Sequence, residues 1–126
     1  MATIIPTLAE VASIDRSVLQ VTWAPVTSDS GNNDICAAVQ LPQYTSKSVH
    51  VFGTFGSSTV VVNGSNNNGA SYVVLDDPGG VAISISGENI EQISQNTQLI
   101  QPAISGGTLA SLTIVMLCVM PNPMRT

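Results

Sequence analysis

The chain has 126 residues, enough for one domain with one core, and only 9% of them are charged, for a formal net charge of −5. Three scattered basic residues, Arg16, Lys47 and Arg125, cannot form the cationic patch that nucleic-acid phosphates or an anionic membrane surface require. A hydrophobic content of 44% excludes a disordered polyelectrolyte, and with Ser, Thr, Asn and Gln at roughly a third of the chain the surface is polar but nearly uncharged, which opposes association only weakly.

Residues 1–14 carry Ile4, Ile5, Leu8, Val11 and Ile14 around Pro6, which blocks a long regular element. Two readings stand side by side: an edge strand closing the fold, or an apolar arm reaching a neighbouring subunit. On the second, Ile4, Ile5, Leu8 and Val11 are the candidate partner interface. The segment lacks the basic flank and continuous apolar core of a signal peptide.

The stretch 18–26 alternates, and Leu19, Val21, Trp23 and Pro25 are expected on the core face of a strand. Residues 27–34, TSDSGNND, read as a solvated polar loop; Asp29, Asn32, Asn33 and Asp34 do not follow the order of an EF-hand. Residues 35–46 hold a short strand that ends at Pro42. From Lys47 to Gly80 a meander is expected, with Val49, Val51 and Phe55 on one face and His50, Phe52 and Thr54 on the other. NGSNNNGAS supplies a turn, and Asp76-Asp77-Pro78-Gly79-Gly80 a second one.

Residues 81–86 alternate again, with Val81, Ile83 and Ile85 expected inward. Ile90 and Ile93, three apart and preceded by Glu88, suit a short helical turn or a tight loop over 87–96. Residues 97–104 read as a strand whose Pro102 lies near its end or at a sheet edge. In 106–123, Ala110, Leu112, Ile114, Met116 and Cys118 form the more apolar face of a strand that should be central. Its longest apolar run, about 12 residues, is too short for a membrane helix. The fold class expected is all-β: an antiparallel β-sandwich or jelly roll with at most one short helical turn. Its domain spans 15–120, between an arm at 1–14 and a tail at 121–126.

The groups that catalysis needs are sparse. His50 is the single histidine and reads as structural. Cys36 and Cys118 read as buried thiols or a disulfide. Asp76 and Asp77 belong to a turn rather than to a carboxylate pair across a cleft. No nucleotide-binding or nucleophile-elbow motif occurs, and neither a catalytic residue, a metal nor a cofactor is expected.

The pieces Val51 to Gly56, Gly64 to Gly69, Tyr72 to Gly79, Ile90 to Ile93 and Ile100 to Ile104 occur in an order that resembles small structural proteins of tailed bacteriophages. The resemblance covers roughly Val18 to Val119, and Asn67 stands where that pattern commonly has Asp. It implies a non-enzymatic virion protein. Such a protein would be a capsid decoration (cement) protein, bound as a dimer or trimer to the major capsid protein on a phage head, with no nucleic acid or membrane partner. A neck or tail-ring component and a carbohydrate-binding module remain open beside it.

Overall fold

The computed structural model describes residues 2–11 and 17–121. The arm boundary at residue 14 and all but the first residue of the expected tail fall outside them. The described residues form twelve strands and no helix. They are β1 (Thr3–Ile4), β2 (Thr7–Glu10), β3 (Val18–Asp29), β4 (Asn32–Asn33), β5 (Ile35–Cys36), β6 (Ser46–Thr54), β7 (Ser58–Ser65), β8 (Val73–Val74), β9 (Ser84–Ile85), β10 (Asn89–Ile93), β11 (Leu99–Gly106) and β12 (Ala110–Val119). One sheet runs β1-β5-β11-β7-β8 with β9 also on β7; the other runs β10-β6-β12-β3-β2 with β4 on β3. The two pack face to face as a β-sandwich.

The strand period sets the core. On β12, Ala110, Leu112, Ile114, Met116 and Cys118 are buried, and on β6 Val49 and Val51 are buried. Val60, Val62, Ile100 and Ile104 meet them from the other sheet. On β3, Leu19, Val21 and Trp23 point inward as the alternation predicts, but Pro25 is exposed and Val26 is buried. A register shift explains this: Ile114 pairs with Trp23 and Leu112 with Val26, so Ala24 and Pro25 together face Thr113 and the bulge reverses the phase. Trp23 is fully buried and its indole N–H donates to the Ala37 carbonyl at 2.9 Å.

Three further expectations are corrected. Residues 89–93 are a strand: Ile90 pairs with His50 and Ile93 with Lys47, so a spacing of three sends them to opposite faces, Ile90 outward and Ile93 inward. Pro102 sits within β11, between β7 and β5, rather than at an end or edge. The Ile100 N–H points away from β7 to the Val39 carbonyl, and Pro102, two residues on, has the same orientation, where β5 pairs only at Ala103. Val81 is exposed because its backbone closes the turn, with its N–H and carbonyl both bonded to Asp77. The stretch 27–34 is also more regular than a loop, since β3 runs to Asp29 and β4 pairs back on it.

The N-terminal segment pairs with both sheets. β1 lies parallel to β5 in one, and β2 lies antiparallel to β3 in the other, with Ile5 and Pro6 crossing between them. Asp34 clips its start: Oδ1 accepts from the Ala2 N–H and Oδ2 from the Thr27 N–H and hydroxyl. Replacing Trp23 with Phe should cost about 2 kcal/mol in a urea titration, from lost ring volume and an orphaned Ala37 carbonyl. Asp34→Ala should cost about 1 kcal/mol and speed limited proteolysis between residues 5 and 11, because the segment loses its clip.

Candidate interaction surfaces

The outer face of the second sheet follows from its inner one. Side chains that alternate with the buried set lie on the outside, and the registers arrange them in rows across five strands. One row is Ile90, His50, Val115, Thr22 and Thr7; the next is Gln92, Ser48, Leu117, Gln20 and Ala9. Neither row carries a formal charge apart from any on His50. His50 sits 3.1 Å from the Glu88 carboxylate and tilts against Phe52, with ring centroids 4.9 Å apart.

A second surface is the end of the sandwich where the β3–β4, β6–β7 and β11–β12 turns meet. Ser30 N–H donates to the Gly107 carbonyl at 3.1 Å, Thr108 N–H to Gly56 at 2.8 Å, and Leu109 N–H to Asp29 Oδ1 at 3.2 Å. The buried Ser28 hydroxyl bridges the Asn33 side chain and the Gly106 carbonyl. Gly56 has a positive φ, and a Cβ there would collide with the Thr108 carbonyl. Ser30, Ser57 and Leu109 all hold left-handed φ values, +52°, +69° and +52°. A leucine in that region is strained, and Leu109 is also 74% exposed. Three tied hairpins thus hold a strained apolar side chain out in solvent. The alternation of 109–119 shows its face but not its φ, so the strain leaves no local signal among the residues.

The N-terminal candidates are dispersed. Ile4 packs partly against the core, whereas Ile5, Leu8 and Val11 are 72%, 49% and 56% exposed. Leu8 pairs with the inward-facing Val21, so it lies on the core side of an edge strand, open because no described strand flanks β2 further out.

The turn residues 66–71 form the rim of a cup of about 420 Å³, lined by Ser65, Asn66, Asn67, Ser71, Gln95 and Thr97 over an apolar floor. Most of these polar groups are already used. Asn67 Oδ1 accepts from the Ser65 hydroxyl and the Ser71 N–H, Asn66 Oδ1 from the Gln98 N–H, and Thr97 donates to the Leu99 carbonyl. Asn67 therefore organises the turn. Asp77 does the same in its own turn, accepting from the Gly79 and Val81 N–H groups. Tyr44, one of the few aromatics available as a sugar platform, is buried.

Inside the far end, Lys47 is 3% exposed, its ammonium bound to the Tyr44 carbonyl and, at 2.6 Å, to Asn96 Oδ1. Burial pushes its pKa down, with the neighbouring Cys118 opposing. The phase of β6 that buries Val49 and Val51 also carries Lys47 inward. Cys36 and Cys118 are buried free thiols on opposite sheets. Burial raises Cys36 from 9.0 to about 12, with Asp34 adding to the shift, and Cys118 from 9.0 to about 11, with Lys47 opposing it. Asp34 is pushed up by slight burial, but hydrogen bonds from Thr27 and Ala2 outweigh this and hold it below its usual value. Among the described residues no group of three or more His, Cys, Asp or Glu could hold a metal ion.

The raised thiols fix the sign of an alkaline effect. Above about pH 9 the unfolded thiols lose protons that the folded ones keep, so their contribution to stability falls as pH rises towards 11 and 12. Lys47, depressed in the fold, acts oppositely and on a single group. Urea midpoints should therefore drop between about pH 8 and about pH 10.5, and a Cys36→Ala, Cys118→Ala double variant should show a smaller drop.

No family model matches the sequence. No curated protein matches it either. Among solved structures, the fold is similar to the crystal structure of the SPBc2 prophage-derived protein YomS, with a TM-score of 0.57 and 12% sequence identity over 81% of this chain and 94% of that one. At that identity the likeness is one of fold.

Proposed function

We propose that this chain is a non-enzymatic structural protein of a tailed-phage particle, a decoration (cement) protein that binds the major capsid protein on the outside of the head. One observation carries the reading: the interlocked end that holds Leu109 rigid, strained and exposed. Strain that surrounding structure enforces concentrates at functional positions. A pre-ordered apolar side chain loses little entropy when it enters a partner's socket. Asp29, beside it, favours a socket rimmed by Lys or Arg. The sandwich shared with a prophage-derived protein and the phage-like order of sequence pieces support the same reading. The exposed carboxylates and the burial of Lys47 speak against a nucleic-acid or membrane partner. A small attachment site suffices for such a protein when it is repeated across a shell, because oligomers gain by avidity.

Mass spectrometry of purified particles should find on the order of hundreds of copies. A count near a dozen would move the chain to a neck or tail ring, and its absence from particles would overturn the proposal. Leu109→Gly relieves the backbone strain and should leave the urea midpoint unchanged or slightly higher, yet reduce re-binding to stripped particles by at least ~tenfold.

A further inference from the structure

The outer face of the second sheet has the makings of a self-association surface. Its five strands hold 40 residues in all, and at about 3.4 Å along and about 4.8 Å across for each the face projects about 650 Å², within the range of about 600–1,000 Å² per partner found in stable complexes. Apart from His50, with the Glu88 carboxylate 3.1 Å from it, the two rows described above consist of aliphatic, hydroxyl or amide side chains. The apolar side chains of the face include Val115 and Phe52, half-buried, and Ile90 and Leu117, 60% and 37% exposed. The other sheet offers less, since only β7 and β11 are long there.

The charge distribution selects the occupant. Described carboxylates lie on the hairpin at Asp29 and Asp34, on the turn at Asp76 and Asp77, and along the edges at Glu10, Glu88 and Glu91, while Lys47 is buried. Two copies of a chain with net charge −5 would meet like charge at any of those places. In a twofold interface the same patch must tolerate itself, and the rows around Val115 and Leu117 do, since their own side chains include no carboxylate and Glu88, which reaches them from the β10 side, is held against the His50 imidazole. Its Ser, Thr and Gln side chains both donate and accept, so they can pair with their own copies.

We infer that two copies of this chain associate face to face through the outer surface of the β10-β6-β12-β3-β2 sheet, around Val115 and Leu117, as a twofold dimer. This deepens the oligomeric part of the virion reading and leaves the Leu109 end outside the interface. Sedimentation velocity on the purified chain should show a dimer that dilutes to monomer. Leu117→Glu places two carboxylates in opposition and should raise the dimer dissociation constant at least ~tenfold with an unchanged circular dichroism spectrum. Thr22→Glu, on the adjoining row, provides a second test should Leu117→Glu not fold. Val61→Glu, on the outer face of the other sheet, should leave the dimer intact. A wild-type monomer at every concentration, a trimer or larger species, a Leu117→Glu or Thr22→Glu dimer as tight as wild type, or equal loss in Val61→Glu would each overturn the inference. None of those results bears on whether the chain is found on particles, so the two readings fail separately.

Discussion

Everything in this fold hangs on the burial of one face of β12. Leu112, Ile114 and Met116 have almost no exposed area, and both long neighbours, β3 and β6, take their register from that strand. A slip by one residue on either side would turn its whole inner row outward. At about 25 cal/mol per Å² of apolar surface, each of these buried side chains is worth about 2 kcal/mol, so three of them amount to a large part of a small domain's stability. The bulge at Ala24 and Pro25 lets β3 keep to this rule along twelve residues: it reverses the phase once and returns Val26 to the core.

The same rule accounts for the polar features that composition does not reveal. Once Val49 and Val51 are committed inward, Lys47 must follow, and its ammonium finds the Tyr44 carbonyl and Asn96 instead of water. A buried cation without a carboxylate beside it gains little net stability, but it joins the start of β6 to the loop before β11. The outer rows of the sheet are fixed in the same way, as what remains when the core side has been filled. Their lack of carboxylates is then a property of the sequence alone, since packing places no demand on an outward position.

Much of this was legible in the residues, and the failures share a cause. The alternation of 110–118 gave both the inner face and the central place of β12, and Asp77 before Pro-Gly-Gly gave its turn. Ile90 and Ile93 misled because a spacing of three reads as one helical face, whereas in a strand it marks two faces, and only pairing with β6 decides between them. Pro102 misled because the cost of a missing N–H depends on which neighbour that bond would have served. Val81 and Pro25 misled because alternation was extended past a turn and a bulge, neither of which is visible until partners are known. The ties that strain Leu109 run between hairpins far apart in the chain, 80 residues from Asp29 to Leu109, and no local pattern records them.

Rigidity and the proposed attachment are linked through these same ties. A residue in a left-handed conformation costs on the order of 1 kcal/mol and is kept only when neighbouring bonds over-determine it. Here the Gly107, Gly56 and Asp29 contacts do so, at the end of a sandwich whose opposite extremity is fastened by Lys47. The strain is therefore carried by the scaffold before any partner arrives. A socket that accepts Leu109 then meets a side chain already ordered, and the binding free energy is not reduced by the cost of fixing a loop. A flexible tip with the same residues would bind more weakly for that reason alone, which is why we propose the three hairpins, and not the leucine by itself, as the attachment surface.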